Sequence, residues 1–258
     1  MHVRVYGVQP DEMPTYEAAK EKYGFTFEFE KTPLSEETAD QVKGCEGLII
    51  LTNCHVTEPV AKTLAANGVK YIACRSAGSD HVDYAAVTKY GMQCAHVPAY
   101  APEAISEHTV MLALEVLRHA KLCARKVEEG DFTMAGLKGR QLGNLTAGVL
   151  GTGRIGRVTM SILNGFGTKV LGWDPFPNDA AAKLCTYVEK EELLKTADIV
   201  FLHCPLTDDS YHTINEETLA MMKPGAVLIN TARGGCVDED ALYEACKDGT
   251  ICGAGLKS

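Results

Sequence analysis

Short hydrophobic runs alternate along the chain with longer segments in which apolar residues recur at helical spacing. Runs such as Val3–Val8 and Gly47–Thr52 have the length of buried strands, and several of the intervening segments begin with Ser, Asp or Glu and end with Gly. Alternating strands and helices are typical of βαβ units around a parallel sheet. The pattern therefore predicts an α/β protein.

The alternation falls into two series, which predict two doubly wound parallel-sheet domains: a flavodoxin-like domain at residues 1–100 and a Rossmann domain at residues 101–258. The first series has predicted strands at Val3–Val8, Phe25–Phe29, Gly47–Thr52, Val69–Cys74 and Gln93–Val97, and predicted helices at Asp11–Tyr23, Ser35–Val42, Glu58–Ala66 and Asp83–Tyr90. The second has predicted strands at Ala147–Leu150, Lys169–Asp174, Ile199–His203, Ala226–Thr231 and Ile251–Leu256. Between the two, residues Pro102–Glu129 predict one long helix that bridges the domains.

Residues 146–174 have the features of a complete dinucleotide-binding unit. Gly151, Gly153 and Gly156 follow a buried strand and open a helix, and Asp174 ends the next strand about 20 residues later. We expect Gly151 to permit the tight turn, Gly153 to let the backbone approach a pyrophosphate, and Gly156 to let the helix pack close to the strand. A glycine-rich turn that binds nothing is the alternative.

The same unit predicts which dinucleotide is bound. Arg154 and Ile155 begin the predicted helix, whose N-terminus would face the phosphates with free N–H groups. Asp174 lies where a carboxylate accepts both hydroxyls of an adenosine ribose and repels a 2'-phosphate. The sequence therefore predicts NAD rather than NADP as the cofactor.

Arg233 follows the hydrophobic run Val227–Asn230 and precedes two glycines. This places it at the carboxyl end of a strand, where open α/β sheets bind their ligands. A guanidinium binds a carboxylate with paired, directional donors that lysine lacks. Arg233 is therefore our candidate for binding an anionic ligand. Capping of a nearby helix or pairing with a surface carboxylate is the alternative.

Composition narrows the class of protein further. The chain has 258 residues, of which 46% are hydrophobic and 23% charged, and a net charge of −9 with no Lys/Arg run, so we expect neither a nucleic-acid nor a membrane partner. The ten cysteines are scattered without Cys-x-x-Cys or zinc-site spacing, so we expect no metal and a reducing, cytoplasmic location. No signal segment or membrane-spanning apolar run is evident.

Five motifs in order give the chain a family resemblance that covers nearly its whole length. The motifs are Arg75–Asp83 (RSAGSDHVD), Val97–Ile105 (VPAYAPEAI), Gly151–Gly156 (GTGRIG), His203–Leu206 (HCPL) and Leu228–Gly235 (LINTARGG). With them the chain resembles the D-isomer-specific 2-hydroxyacid dehydrogenases, in particular the D-lactate and D-2-hydroxyglutarate branches. The resemblance implies a substrate domain followed by an NAD domain, a site in the cleft between them, and a homodimer.

The resemblance also assigns residues. It implies that Arg233 holds the substrate, that the Ala77–Gly78 loop holds its carboxylate through backbone N–H groups, and that Tyr100 contacts the substrate. Packing at the domain hinge is nearly as good an interpretation of Tyr100. Residues implied on the cofactor side are Gly151, Gly153, Arg154, Ile155, Gly156, Asp174, Cys204, Pro205, Thr231, Ala232 and Arg233. Cys204 is interpreted as a packing residue rather than a nucleophile.

The chain departs from the family pattern after Gly253–Leu256. The family continues with a glutamate, a further strand and a Pro-His pair, which supply the acid–base couple, whereas this chain reads Lys257–Ser258. We therefore expect a C-terminally truncated dehydrogenase that lacks the last strand of its second sheet, with uncertain activity. None of the eight histidines is an evident substitute. A non-catalytic NAD-binding regulatory or dimerisation protein is the alternative, and an adenosyl hydrolase is disfavoured by Arg233.

Overall fold

The computed structural model describes residues 1–98 and 101–257. These residues form two compact units that divide after residue 100. Each unit has its own sheet, in which all the strand pairs are parallel. The predicted α/β class with two parallel sheets is therefore confirmed. No helix among the described residues is both long and apolar enough to cross a bilayer.

The first unit has five strands, namely β1 (His2–Tyr6), β2 (Thr26–Glu30), β3 (Gly47–Ile50), β4 (Tyr71–Cys74) and β5 (Gln93–His96). Its helices are α1 (Met13–Tyr23), α2 (Glu58–Ala66) and α3 (Tyr84–Lys89). The strand order β2-β1-β3-β4-β5 is that of flavodoxin-like sheets. The order changes direction between β1 and β3, so the ends of these strands are where such a fold places a binding site.

The second unit has six strands, namely β6 (Thr146–Leu150), β7 (Lys169–Trp173), β8 (Thr186–Tyr187), β9 (Ile199–Leu202), β10 (Ala226–Asn230) and β11 (Ile251–Leu256). Its helices are α4 (Pro102–Leu117), α5 (Ala120–Glu128), α6 (Arg154–Gly165), α7 (Asp179–Ala182), α8 (Lys190–Thr196), α9 (Glu216–Met221) and α10 (Glu239–Lys247). The order β11-β10-β9-β6-β7-β8 is the doubly wound Rossmann order, and it changes direction between β6 and β9.

The central strand β9 shows how both faces of the second sheet are buried. Ile199 and Phe201 pack into a hydrophobic cluster on one face, and Val200 and Leu202 pack into a second cluster on the other. All four side chains are fully buried. A strand with both faces covered by helices needs a continuous apolar run, which is why these residues do not alternate with polar ones.

The single long helix predicted for Pro102–Glu129 is wrong. The chain forms α4 and α5 instead, separated by Arg118 and His119. His119 has a φ of 53°, a left-handed conformation that histidine adopts more readily than most residues and that ends a right-handed helix. The helical spacing of the apolar residues continues across this break, so spacing alone did not reveal it.

Two shorter elements also differ from the prediction. The helix expected at Ser35–Val42 is only a 3-10 helix at Ala39–Val42. The two-residue strand β8 was not predicted, since Thr186–Tyr187 is too short to show an alternating pattern. This strand matters for the site because Tyr187 lies on it.

Candidate cofactor and substrate sites

Two glycines permit close backbone approaches at the turn between β6 and α6. Gly151 has a φ of 96°, and a Cβ there would lie 2.6 Å from the backbone N of Cys204. A Cβ on Gly156 would overlap the carbonyl oxygen of Gly151. Both close approaches therefore require glycine, as the sequence predicted for the turn and for helix packing.

Gly153 has a different environment, because a Cβ there would meet no atom within 4 Å. It is the exposed N-cap residue of α6, and no side chain caps this helix. Arg154 and Ile155 follow in the first turn, so their N–H groups lie at a positively polarised helix end that is open to an anion. The open space at Gly153 and the free helix end fit a pyrophosphate group.

Asp174 follows β7, and backbone donors fix its carboxylate beside this loop. Oδ2 accepts hydrogen bonds from the N–H of Thr152 at 2.6 Å and from its hydroxyl at 3.1 Å. Oδ1 accepts one from the N–H of Phe176 at 2.9 Å. A carboxylate accepts about four hydrogen bonds, so it retains capacity for ribose hydroxyls.

Thr152 connects Asp174 to two residues that the sequence analysis missed. Its hydroxyl lies 2.7 Å from the hydroxyl of Tyr187, and Asn178 Nδ2 donates to it at 3.2 Å. The N–H of Asn178 also donates to the Tyr187 hydroxyl at 3.2 Å. Thr152 is completely buried, so this network holds the glycine loop and Asp174 in one arrangement. Only Thr152, inside the glycine motif, carried a sequence signal.

A surface pocket of about 530 Å³ adjoins Asp174. Its lining combines the carboxylates of Asp174, Glu189 and Glu192 with the apolar surfaces of Trp173, Pro175, Pro177 and Tyr187. A flat aromatic base packs well against the side chains of Trp173 and Tyr187. This pocket is therefore a candidate site for an adenine ring beside Asp174.

The loop that carries Arg233 follows β10 and is fixed by Asn230. Asn230 Nδ2 donates to the carbonyl oxygen of Arg233 at 2.8 Å, and its Oδ1 accepts from the N–H of Ala232 at 2.9 Å. Asn230 is only 5% exposed, so few other partners compete for these bonds. Arg233 is half-buried, and its Nη1 donates to the carbonyl oxygen of Ala232 at 2.9 Å. These hydrogen bonds fix the backbone of the loop that carries the guanidinium group.

Helix α4 contacts both loops through two hydroxyls. Ser106 Oγ donates to the carbonyl oxygen of Ile155 at 3.1 Å, at the start of α6. Thr109 Oγ1 lies 2.7 Å from Thr231 Oγ1, at the end of β10. Both Ser106 and Thr109 are fully buried. The sequence analysis treated α4 only as an apolar helix and missed these polar contacts.

Cys204 and Pro205 follow β9, which places them at the same edge of the sheet as Gly151 and Arg233. The carbonyl oxygen of Pro205 accepts a hydrogen bond from Ser210 Oγ at 2.6 Å, which closes the loop after β9. His203 precedes them, and its Nε2 lies 2.9 Å from Thr159 Oγ1. Burial lowers the pKa of His203 from 6.5 to about 4. His203 is therefore neutral at pH 7 and lacks the imidazolium proton that a general acid donates.

The predicted substrate loop of the first unit follows β4. Ser76 Oγ donates to the carbonyl oxygen of Gly78 at 2.7 Å, and His96 Nδ1 lies 3.1 Å from the carbonyl oxygen of Ala77. Both contacts engage carbonyl groups, which orients the Ala77–Gly78 loop without using its N–H groups. Binding of a carboxylate by this loop stays a prediction. Tyr100 lies outside the described residues.

Arg75, two residues before this loop, connects two strands of the first unit. Arg75 Nη2 donates to the carbonyl oxygens of Tyr6 and Gly7, each at 2.8 Å, and Arg75 Nη1 pairs with Glu12. Tyr6 and Gly7 form the end of β1, so Arg75 joins the carboxyl ends of β1 and β4. The start of the Ala77–Gly78 loop is thereby fixed by charge-assisted hydrogen bonds.

One cluster in the first unit has metal-binding side chains. His2 Nε2 lies 3.2 Å from Glu28 Oε1, and Cys45 Sγ lies 3.9 Å from Glu28 Oε2. Arg4 Nη1 also pairs with Glu28 at 3.2 Å. The guanidinium neutralises the carboxylate, so the charges of this cluster are balanced without a cation.

Comparison with known proteins identifies the family of this chain. The family described as "D-isomer specific 2-hydroxyacid dehydrogenase, NAD binding domain" matches residues 110–257. An aromatic 2-oxoacid reductase of Clostridium sporogenes is 41% identical over 259 residues, which cover 100% of this chain and 78% of the relative. The D-lactate dehydrogenase of Escherichia coli (strain K12) is 37% identical, over 99% of this chain and 78% of the relative.

Among solved structures, the D-lactate dehydrogenase of Aquifex aeolicus, complexed with NAD and lactic acid, matches with a TM-score of 0.90. It is 35% identical, over 99% of this chain and 76% of that chain. The present chain belongs to the D-isomer-specific 2-hydroxyacid dehydrogenases. It is thus a member of a family of NAD-dependent oxidoreductases, and its second unit is an NAD-binding domain. The family resemblance and the predicted cofactor are confirmed.

Proposed function

We propose that this protein interconverts a D-2-hydroxy acid and the corresponding 2-oxo acid, with a small, D-lactate-like substrate. NADH would supply the hydride in the reducing direction, and water or another general acid would supply the proton that completes the hydroxyl group. Arg233 binds and orients the oxo acid, whose carboxylate and ketone oxygens accept its paired N–H groups. The guanidinium also stabilises the negative charge that develops on the ketone oxygen during reduction.

The observation that carries this proposal is the position of Arg233 relative to the cofactor loop. Arg233 and the Gly151–Gly156 loop both follow strands of one parallel sheet, and so lie at the same edge. Asn230 fixes the Arg233 loop, and Thr152 fixes the glycine loop to Asp174. Two loops fixed at one edge of the sheet suit a reaction in which cofactor and substrate must keep a fixed distance and orientation.

The cofactor residues follow from the same geometry. The pyrophosphate would be held at Gly153 by the N–H groups of Arg154 and Ile155, and Asp174 would bind the adenosine ribose. Cys204, Pro205, Thr231 and Ala232 would border the other half of the dinucleotide, because they follow β9 and β10 on the same edge.

A matched pair of arginine variants tests the proposal. Arg233→Lys keeps the charge but loses the paired donors, so we expect oxamate and 2-oxo acids to bind at least about tenfold more weakly. NADH affinity should stay within about twofold of the parent value. Arg125→Lys, at an exposed position on α5, is the control and should change neither value. Unchanged oxamate inhibition in Arg233→Lys would refute the proposed role.

Substrate choice is tested by steady-state reduction of pyruvate, 4-methyl-2-oxopentanoate and phenylpyruvate with NADH. Similarity to the E. coli D-lactate dehydrogenase supports pyruvate. Similarity to the aromatic 2-oxoacid reductase makes phenylpyruvate the necessary comparison. NADH binding without reduction of any of the three acids would instead support the non-catalytic alternative.

We also propose that the protein is a homodimer. An apolar groove of about 580 Å³ on the second unit is lined by Val110, Met111, Leu114, Ile162 and Phe166, and two of these large side chains, Met111 and Phe166, are exposed. Exposed apolar patches of this kind commonly mark protein interfaces. Light scattering after gel filtration should give a dimer mass, and Met111→Asp should give the monomer mass.

A cytoplasmic location is the remaining part of the proposal. All ten cysteines are free thiols, including several that are buried. Free thiols persist in reducing compartments. Fractionation of cells that produce the protein tests this assignment.

A further inference from the structure

The thiols of Cys204 and Cys236 lie next to each other, close to the loop that carries Arg233. Cys204 follows β9 and is half-buried, whereas Cys236 lies in a 3-10 helix at Gly234–Cys236 and is fully buried. Cys204 Sγ donates to Cys236 Sγ at 4.0 Å. Although the cysteines are 32 positions apart in sequence, adjacent strands bring them together.

The surroundings favour one negative charge on this pair. The hydrogen bond from Cys204 and one from Ser210 lower the pKa of Cys236 to about 7, and the charge of Arg233 contributes in the same direction. The pKa of Cys204 is raised, since it provides the proton in the shared hydrogen bond. Cys204 is the partner that solvent reaches, so a small oxidant meets its sulfur first.

Cys236 is also joined to the residue proposed to bind substrate. The N–H of Cys236 donates to the carbonyl oxygen of Arg233 at 3.2 Å, and the N–H of Val237 donates to that of Gly234 at 2.9 Å. The same Arg233 carbonyl accepts from Asn230 Nδ2. A displacement of Cys236 therefore acts directly on the hydrogen bonds that shape the Arg233 loop.

We propose that Cys204 and Cys236 are a redox modification site, at which a peroxide forms a reversible disulfide that displaces the Arg233 loop. A disulfide bond is about 2.05 Å long, so the sulfurs must approach by about 2 Å. Cys204 lies two residues beyond the end of β9, and Cys236 lies in a short 3-10 helix that follows Arg233. Any part of this movement that Cys236 makes displaces the Arg233 loop.

The peroxide is the two-electron oxidant that disulfide formation requires. One thiolate of the pair attacks one peroxide oxygen, the O–O bond breaks, and a sulfenic acid and hydroxide form. The other sulfur, as a thiolate, then attacks the sulfenic sulfur, and the S–O bond breaks with loss of a second hydroxide. With the two thiol protons, the products are one disulfide and two waters. A dithiol such as dithiothreitol restores both thiols by exchange.

A second close thiol pair in the first unit provides an internal comparison. Cys74 Sγ and Cys94 Sγ are 3.7 Å apart on the neighbouring strands β4 and β5. There Cys94 is paired in register with Ile72, so both thiols sit within a fixed ladder. Neither thiol of this pair lies next to a residue proposed to bind substrate, and the pair is removed in the test by Cys94→Ala.

The first test detects the bond and the loop without reference to activity. Cys94→Ala protein is treated with hydrogen peroxide, digested without reduction and analysed by mass spectrometry. We expect one linked peptide pair containing Cys204 and Cys236, and faster hydrogen exchange at residues 231–237 that dithiothreitol reverses. Adding Cys236→Ala or Cys236→Ser to the Cys94→Ala protein should abolish both signals. Two substitutions are used so that a folding defect in one of them does not decide the result. Oxidation of exposed Cys252 without this crosslink would overturn the proposal.

The second test rests on the proposed function of Arg233. Oxidation should weaken 2-oxo-acid or oxamate binding at least about tenfold, reversibly, while the Cys236 variants keep their affinity after peroxide. If the crosslink forms and exchange increases but the reduced protein binds no oxo acid, the role of Arg233 fails and the redox site stands. If the crosslink forms and both exchange and affinity stay unchanged, the claimed loop displacement is wrong.

Discussion

Asp174 and Thr152 are joined by two hydrogen bonds to a single carboxylate oxygen, one from the N–H of Thr152 and one from its hydroxyl. Thr152 lies in the glycine loop, so the ribose-binding candidate and the phosphate-binding candidate are parts of one rigid arrangement. Placement of the carboxylate therefore depends on the loop. Changes to either residue should affect the affinity for the whole dinucleotide.

Asp174→Ala should reduce the preference for NADH over NADPH. We expect the parent protein to bind NADH at least about tenfold more tightly, because a 2'-phosphate would face the carboxylate. Fluorescence titration with both cofactors measures the ratio in parent and variant. Asp179→Ala, at an exposed position in α7, is the control and should leave the ratio unchanged. Equal affinities of the parent protein for both cofactors would contradict this role of Asp174.

Gly153→Ala should mainly lower NADH affinity, whereas Gly156→Ala should mainly lower the stability of the fold. A methyl group at Gly153 meets no protein atom within 4 Å, so we expect a loss of stability under about 1 kcal/mol but a clear loss of NADH affinity. A methyl group at Gly156 overlaps the carbonyl oxygen of Gly151, so we expect a loss of about 1–3 kcal/mol in the free energy of unfolding. Urea unfolding and NADH titration of both variants check this, and the reverse pattern would refute it.

His203 should make the folded state sensitive to mild acid. Burial lowers its pKa from 6.5 to about 4, so between these values the unfolded chain binds a proton that the folded protein does not. Stability is therefore greatest above about pH 6.5 and falls, by up to about 3 kcal/mol from this group, as the pH approaches 4.

Urea unfolding between pH 7.5 and 4.5 measures this effect. We expect His203→Gln to reduce the slope of stability against pH, whatever its effect at pH 7.5. His55→Gln, at an exposed position, should leave the slope as in the parent. Identical slopes in all three proteins would show that His203 is protonated in the folded state at the same pH as in the unfolded chain.

Asn230→Asp should weaken substrate binding without weakening cofactor binding. The variant keeps an oxygen to accept from the N–H of Ala232 but loses the donor to the carbonyl oxygen of Arg233. We expect the KM for 2-oxo acids to rise several-fold, because the carboxylate oxygen that replaces Nδ2 repels the carbonyl oxygen of Arg233 and displaces the Arg233 loop. Steady-state kinetics with saturating NADH measure this. An unchanged KM would mean that Asn230 does not position Arg233.

The sequence alone predicted those features that are local or periodic. Alternating strands and helices predicted both sheets, and the glycine motif with Asp174 predicted the cofactor unit, because its spacing is set by one turn and one helix. The break at His119 could not be predicted, since it depends on one dihedral angle within an uninterrupted apolar pattern. The contact of Thr152 with Tyr187 spans 35 residues and involves a two-residue strand, so no periodicity indicates it.

The hydroxyls of Ser106 and Thr109 give α4 a mechanical role that reaches beyond packing. They lie three positions apart, on one turn of the helix, yet one holds the start of α6 and the other holds the end of β10. A shift of this turn would change the distance between the glycine loop and the Arg233 loop. The spacing of the two candidate sites is therefore set in part by α4.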